Sequence, residues 1–172
     1  HKFSIENQET FWRTIWEDME LQGVQGEVAL DNPQLMPGAK FFPEGRINFA
    51  KNCLIHDQPD EGIAIIAHDE TGLCRELSWG ELRASVDSFQ KMLMEAGVQA
   101  SDVVGGYVAN GPEAVIAALA TLSLGAIWTS CSPDFGIQGM LDRFGQTKPK
   151  VIVAGCSVRH NKKPIDLTER II

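Results

Sequence analysis

Three short segments of this 172-residue chain collect side chains able to bind or polarise a ligand. Arg159-His160-Asn161-Lys162-Lys163 sets four potentially cationic side chains into a chain whose formal net charge is −8. Arg forks and Lys point charges so spaced could grip a phosphate, and a solvated basic loop has the same composition. Cys131-Ser132-Pro133-Asp134-Phe135-Gly136 gathers hydroxyls, a carboxylate and an aromatic ring. It reads either as a ligand-contacting loop or as a Pro-initiated turn capping the next helix. Ala109-Asn110-Gly111-Pro112-Glu113 opens a helix whose free amides could hold an anion, although Glu113 in the first turn already complements the helix dipole.

Other chemistries lack their residues. GGYVANG is not the GxGxxG of a dinucleotide site, GxSxG is absent, and no GxxxxGK[ST] or Ser/Thr/Gly-rich loop ending in Lys is present to cradle a triphosphate. Cys53, Cys74, Cys131 and Cys156 form no CxxC, and only Cys53 and His56 approximate a metal-ligand pair, so no metal site and four buried free thiols are expected. The acidic balance offers no general attraction to nucleic acid or an anionic membrane. The run Ala114–Trp128 is interrupted by polar residues and falls short of the roughly 20 apolar residues that span a bilayer. The N-terminus has no signal or transit character, and the chain reads as cytoplasmic.

These segments need a scaffold, and the periodicities supply one. Thr10–Leu21 carries Phe11, Ile15 and Met19, with Trp12 and Trp16 on an adjoining strip, as an amphipathic helix that Gly23 would stop. NPQLMPGAKFFPEGR has neither period and should wrap. Ile63–His68 and Leu73–Leu77 flank Glu70-Thr71-Gly72 as a hairpin. Ser78-Trp79-Gly80-Glu81 is a capping box, and the helix it starts should end at Gly97. Then come a strand at Val103–Val108 that Gly105 and Gly106 weaken, a helix announced by Asn110-Gly111-Pro112-Glu113 and running to about Leu124, a strand at Ile127–Ser130, a helix from Gly136 to about Gln146, and the strand Val151–Ala154. The fold class is therefore α/β: a helical and extended N-terminal cap, then a βαβαβ parallel sheet with helices on both faces. Ligands meet such a sheet beyond the carboxyl ends of its strands, where the three segments lie.

From about Thr10 to Leu167 the chain resembles the acetyl-CoA synthetase-like acyl-CoA ligases of the adenylate-forming superfamily. FFPEGRINFAKNCL resembles their N-terminal cap, and LSWGELRASVDSFQKMLMEAGVQASDVVGGYVANGPEAVIAALATLSLGAIWTSCSPDFG their first βα units. WTSCSPDFG with DRFGQTKPKV is similar to the acetoacetyl-CoA synthetases; acetyl and propionyl enzymes usually carry an FGGF-like segment at Ser132–Phe135. The resemblance implies residues 1–60 as the cap and 61–172 as an incomplete first part of the adenylation domain. It implies ATP, coenzyme A and magnesium for the whole ligase, acetoacetate as substrate, and the missing remainder of the ligase as partner. The fragment, about the first quarter, is expected to hold no cofactor tightly, to contain no catalytic residue and to be inactive alone. By the same resemblance Arg159 and Lys162 would meet the 3′-phosphate of coenzyme A, and Ser132–Phe135 would border its nucleotide. Asp134 departs from that pattern, since a carboxylate beside a polyphosphate is unfavourable. Three other readings stand beside this one: an acetyl- or propionyl-CoA synthetase-type ligase fragment, a separate doubly wound module binding a nucleotide or a partner protein through the loops after Val108 and Ser130, and a nicotinamide-dependent oxidoreductase half that lacks its fingerprint.

Overall fold

In the computed structural model, which describes the chain except residues 56, 57, 73, 161, 162 and 172, residues 1–55 and 56–172 form two units. The first contains α1 (Lys2–Glu6), α2 (Gln8–Asp18), β1 (Gly23–Val24), β2 (Leu30–Asp31), β3 (Lys40–Phe41), β4 (Arg46–Ile47) and α3 (Phe49–Leu54). The aromatic stripe expected on the N-terminal helix gathers around β3: Trp12 meets Phe41 edge-on with ring centres 5.1 Å apart, and Trp16 meets Phe42 at 4.9 Å. The helix ends earlier than expected, at Asp18, and Glu20 turns the chain with φ 48°. Gly23 is no helix stop. It sits in β1 paired to Ile47 of β4, where a Cβ would overlap the Arg46 carbonyl. The Pro/Gly stretch wraps as expected, with β3, paired to β2 just ahead of the stretch, and Arg46 of β4 as its only strand residues.

The second unit runs β5 (Ile63–His68), β6 (Cys74–Ser78), α4 (Trp79–Glu95), β7 (Val103–Tyr107), α5 (Pro112–Ser123), β8 (Ile127–Cys131), a 3₁₀ turn at Pro133–Phe135, α6 (Gly136–Thr147), β9 (Val151–Ala154), β10 (Ser157–His160), β11 (Lys163–Asp166) and α7 (Thr168–Ile171). β5 and β6 form the expected antiparallel hairpin. At the start of α4 the Ser78 Oγ accepts from the Glu81 N–H at 3.2 Å while the Glu81 carboxylate accepts from the Ser78 N–H at 2.8 Å. At its end Gly97 takes φ 81°, and the amides of Gly97 and Val98 donate to Met94 and Leu93 at 2.9 Å each, a Schellman closure.

The sheet is parallel with β7 in the centre, in the order β8-β7-β9. From β7 the chain crosses to β8 on one side and then returns past β7 to β9 on the other, so right-handed crossovers put α5 and α6 on opposite faces. Alternation along β7 agrees. On one face a Cβ at Gly106 would overlap the Trp128 ring; on the other a Cβ at Gly105 would lie 3.2 Å from Phe144 of α6 and 3.2 Å from Pro149. The two glycines expected to weaken the strand are thus where two aromatic rings lie directly on its backbone, and both are buried. Val104 on the first face is fully buried with Leu82, Val86 and Ala117 of the covering helices also in the core.

The N-terminal end of the sheet is pinned by Lys150. Its ammonium donates to the Asp102 carboxylate at 2.7 Å and to the Gly97 carbonyl at 2.6 Å, and its backbone N–H to Val103 at 2.8 Å. Among the described residues no helix is long and apolar enough to cross a membrane. The close approach at β7 sets a test: Gly106→Ala should destabilise the chain by about 1–3 kcal/mol in urea unfolding, against a strand propensity that favours Ala. Combining it with Trp128→Phe should recover part of the loss; a neutral Gly106→Ala would contradict this packing.

Candidate functional site

The register aligns the strand ends. Tyr107, the last residue of β7, is paired with Cys131, the last of β8, and with Ala154, the last of β9. The three terminal residues therefore stand in one row, and the segments that follow them leave from a common rim, where an open parallel sheet meets its ligands.

After β7 the chain reaches α5 through Val108–Gly111. The N-cap is Gly111, with Pro112 in the first turn and no side-chain cap, so Asn110 does not serve as one. Glu113 fills the anion position itself. Partial burial works to raise its pKa but is outweighed by hydrogen bonds from its own backbone N–H and from Arg75, together with the Arg75 charge, and the carboxyl is held below its ordinary value. Arg75, on β6, donates to it at 2.7 Å. This pair joins residues 38 positions apart, and no local pattern in the sequence announces it.

After β8 comes the Ser132–Gly136 segment. Ser132 caps the 3₁₀ turn: its Oγ accepts from the Asp134 N–H at 3.4 Å and donates to the Asp134 carboxylate at 3.2 Å. The expected turn forms, but its cap serves the 3₁₀ turn and not α6, whose N-cap Phe135 makes no side-chain bond, and the Ser132 hydroxyl is engaged within the turn. Pro133 is buried, and its carbonyl accepts from the Tyr107 phenol at 3.1 Å. Phe135 projects with 66% of its surface exposed, and Gly136 turns the chain with φ 65°.

After β9 the structure departs from the expected basic loop. Gly155 prolongs the pairing by donating to the Tyr107 carbonyl at 3.1 Å, and β10 and β11 then form an antiparallel hairpin. Val158 and Ile165, directly opposite each other, pack on the cluster of Tyr107, Cys131, Phe144 and Leu167, which is why the segment folds back as a hairpin while Arg159 and Lys163 stay exposed to solvent. Arg159 is paired with Pro164 and exposed, so alternation puts it on the hairpin face away from that cluster. Lys162 lies outside the described residues. Cys156 is exposed at the start of the hairpin, contrary to the expected burial, whereas Cys131 is buried.

A groove of about 600 Å³ opens on the α4/α5 face of the rim, lined by Ser88, Phe89, Val108, Glu113, Val153 and Ala154 among others. Ser132, Phe135 and Arg159 do not line this groove: the first two follow β8, and Arg159 lies in β10 of the hairpin. Among the described residues no group of three or more His, Cys, Asp or Glu side chains could hold a metal ion. The residue that sequence reasoning missed is Tyr107. Its signal was available, a single tyrosine at the last position of an apolar strand before a turn, but its partner could not be read.

Comparison with known proteins decides the family. The AMP-binding enzyme family model matches residues 55–171, and that of the acetyl-coenzyme A synthetase N-terminus matches residues 1–53. The chain belongs to the AMP-binding enzymes. It is 42% identical to the acetoacetyl-coenzyme A synthetase of Rhizobium meliloti (strain 1021) over 99% of its own length and 26% of that protein. It is 37% identical to the malonamoyl-CoA synthetase of Penicillium aethiopicum over 94% of its length and 23% of that protein. The solved acetoacetyl-CoA synthetase of Streptomyces lividans superposes with a TM-score of 0.88 at 36% identity, covering 99% of this chain and 27% of that one. The chain thus spans about a quarter of the curated relatives it matches.

In this AMP-binding chain the depressed Glu113 pKa carries a sign. A carboxyl held below its unfolded value contributes stability above the unfolded pKa, and loses it as pH falls through the folded pKa. The side chains of Arg75 and Glu113 are 53% and 64% exposed, so the pair is worth only about 0.2–1 kcal/mol. Glu113→Gln should lower the urea midpoint at pH 7, and the difference should shrink as pH falls through the folded pKa of Glu113; a difference that stays constant through the whole acid limb would show that the charge is not responsible.

Proposed function

We propose that this chain is the N-terminal quarter of an ATP-dependent acid–thiol ligase that forms acetoacetyl-CoA. In this reading residues 1–60 are the cap and residues 61–172 the first part of the adenylation domain. The observation that carries the proposal is the 42% identity to the Rhizobium meliloti acetoacetyl-coenzyme A synthetase, sustained over 99% of the chain. The overall reaction has two balanced steps. An acid oxygen attacks the α-phosphorus of ATP, the bond to the bridging oxygen breaks, and pyrophosphate leaves. The thiol sulfur of coenzyme A then attacks the acyl carbon, the thiol proton is lost, and AMP leaves with the former acid oxygen.

The residues of this chain serve the second substrate. Arg159 and Lys162 would hold the 3′-phosphate of coenzyme A, and Ser132 and Phe135 would border its adenine nucleotide, Phe135 by offering an exposed ring on which a base can stack. The Asp134 charge is turned toward the Ser132 hydroxyl, which lessens its repulsion of a nearby phosphate. Magnesium, which would neutralise the ATP phosphates, finds no ligand set among the described residues, and its ligands would come from the remainder of the ligase. The protein acts in this reading as a cytoplasmic enzyme on small molecules, with no nucleic-acid or membrane partner.

A chimera tests the assignment. Replacing the matching quarter of the Streptomyces lividans enzyme by this chain should give acetoacetate-dependent, CoA-dependent AMP release, while the 172-residue chain alone gives no ATP–pyrophosphate exchange. A folded chimera inactive with acetoacetate, or exchange by the chain alone, would contradict the proposal. Activity with malonamate in place of acetoacetate would move the substrate toward that of the Penicillium relative.

A further inference from the structure

Tyr107 is the one tyrosine of the chain and is fully buried at the end of the central strand. Its backbone is paired to the last residue of each flanking strand, and its carbonyl accepts from Gly155 at 3.1 Å. Its phenol donates to the Pro133 carbonyl at 3.1 Å, in the middle of the turn that displays Ser132 and Phe135. Its ring belongs to the cluster with Cys131, Phe144 and Leu167, on which Val158 and Ile165 of the Arg159 hairpin pack. Leu167 closes the base of that hairpin by donating to the Cys156 carbonyl at 2.8 Å. One side chain therefore holds the turn by a polar bond and the hairpin by packing.

We propose that Tyr107 is a positioning residue that fixes the Ser132–Phe135 turn and the Arg159 hairpin relative to each other, so that they bind a phosphorylated nucleotide as one surface. This rests on the reading that the rim takes the nucleotide end of coenzyme A, and it adds the residue that sets the affinity without touching the ligand. Removing the phenol oxygen leaves the ring in its cluster but releases the turn, whereas thinning the cluster loosens the hairpin and spares the phenol bond. The two effects are separable by site.

The test uses the 172-residue chain, labelled with ¹⁵N throughout and with ¹³C at the tyrosine ζ carbon, which gives a single phenol resonance. Adenosine 3′,5′-bisphosphate is the probe. In the unaltered chain, titration should shift the Phe135 and Arg159 amides and the phenol carbon with one common dissociation constant. In Tyr107→Phe the Phe135 amide, which donates to Ser132 at 3.1 Å, should exchange at least tenfold faster while the Val98 amide at the α4 cap keeps its rate. Probe affinity should fall at least fivefold. Leu82→Ala, a cavity under α4, serves as the control for general destabilisation and should leave affinity unchanged.

Tyr107→Phe with unaltered Phe135 exchange and unaltered affinity would overturn the proposal, as would an affinity loss no greater than that of Leu82→Ala. If the unaltered chain does not bind the probe, the nucleotide reading of the rim fails, and the exchange measurement by itself supports or overturns the role of Tyr107. If Tyr107→Phe does not fold, Phe144→Leu decides: faster exchange at Leu167 with Phe135 unchanged supports the division of labour, and equal acceleration at both overturns it.

Discussion

A row of three paired residues, Cys131, Tyr107 and Ala154, is the constraint on which the rest of the second unit depends. Parallel strands end together only if their register is held. Here it is held at both ends: Lys150 ties the start of β7 and β9 to the close of α4, and the buried Tyr107 spans the far end. The three segments singled out in the sequence leave from that far end. The glycines of β7 serve the same arrangement, because they let Trp128 and Phe144 lie against the central strand from opposite faces and leave no room for it to slide.

Electrostatics at the rim follows from this geometry. The helix N-terminus after β7 carries its own carboxylate, Glu113, neutralised by Arg75, so the dipole there is already satisfied. The turn after β8 has its hydroxyl and carboxylate bonded to each other. Among the described residues of these segments, Phe135, Arg159 and Lys163 are exposed, in a molecule whose formal net charge is −8.

Much of this was legible in the residues because it is local. The Ser78 and Glu81 pair, the terminal Gly97 and the apolar strands are devices that act within a few residues, and the structure shows each where the pattern put it. What escaped was set by distant partners. Gly105 and Gly106 read as weak strand formers, since the rings they accommodate come from residues 128 and 144. The hairpin after β9 read as a basic loop, either phosphate-gripping or solvated, since one Val and one Ile are too few to reveal a period, and its pairing is supported by the cluster beneath it. A turn was expected after β8 and is present at Pro133–Phe135, but the commitment of the Ser132 hydroxyl to Asp134 was not foreseeable from a list of polar side chains.

The relatives named for acetoacetyl-CoA formation share this chain's whole length, yet the chain amounts to about a quarter of theirs. What the described residues supply is a parallel sheet whose three strands end in one row, with the turn after β8 and the hairpin after β9 leaving from it. Nuclear Overhauser contacts in solution test that claim most directly. The backbone of Tyr107 should show the staggered amide-to-α-proton pattern of a parallel ladder to both Cys131 and Ala154. An antiparallel pattern, or contacts to only one of the two, would contradict the shared rim and with it the account of the site.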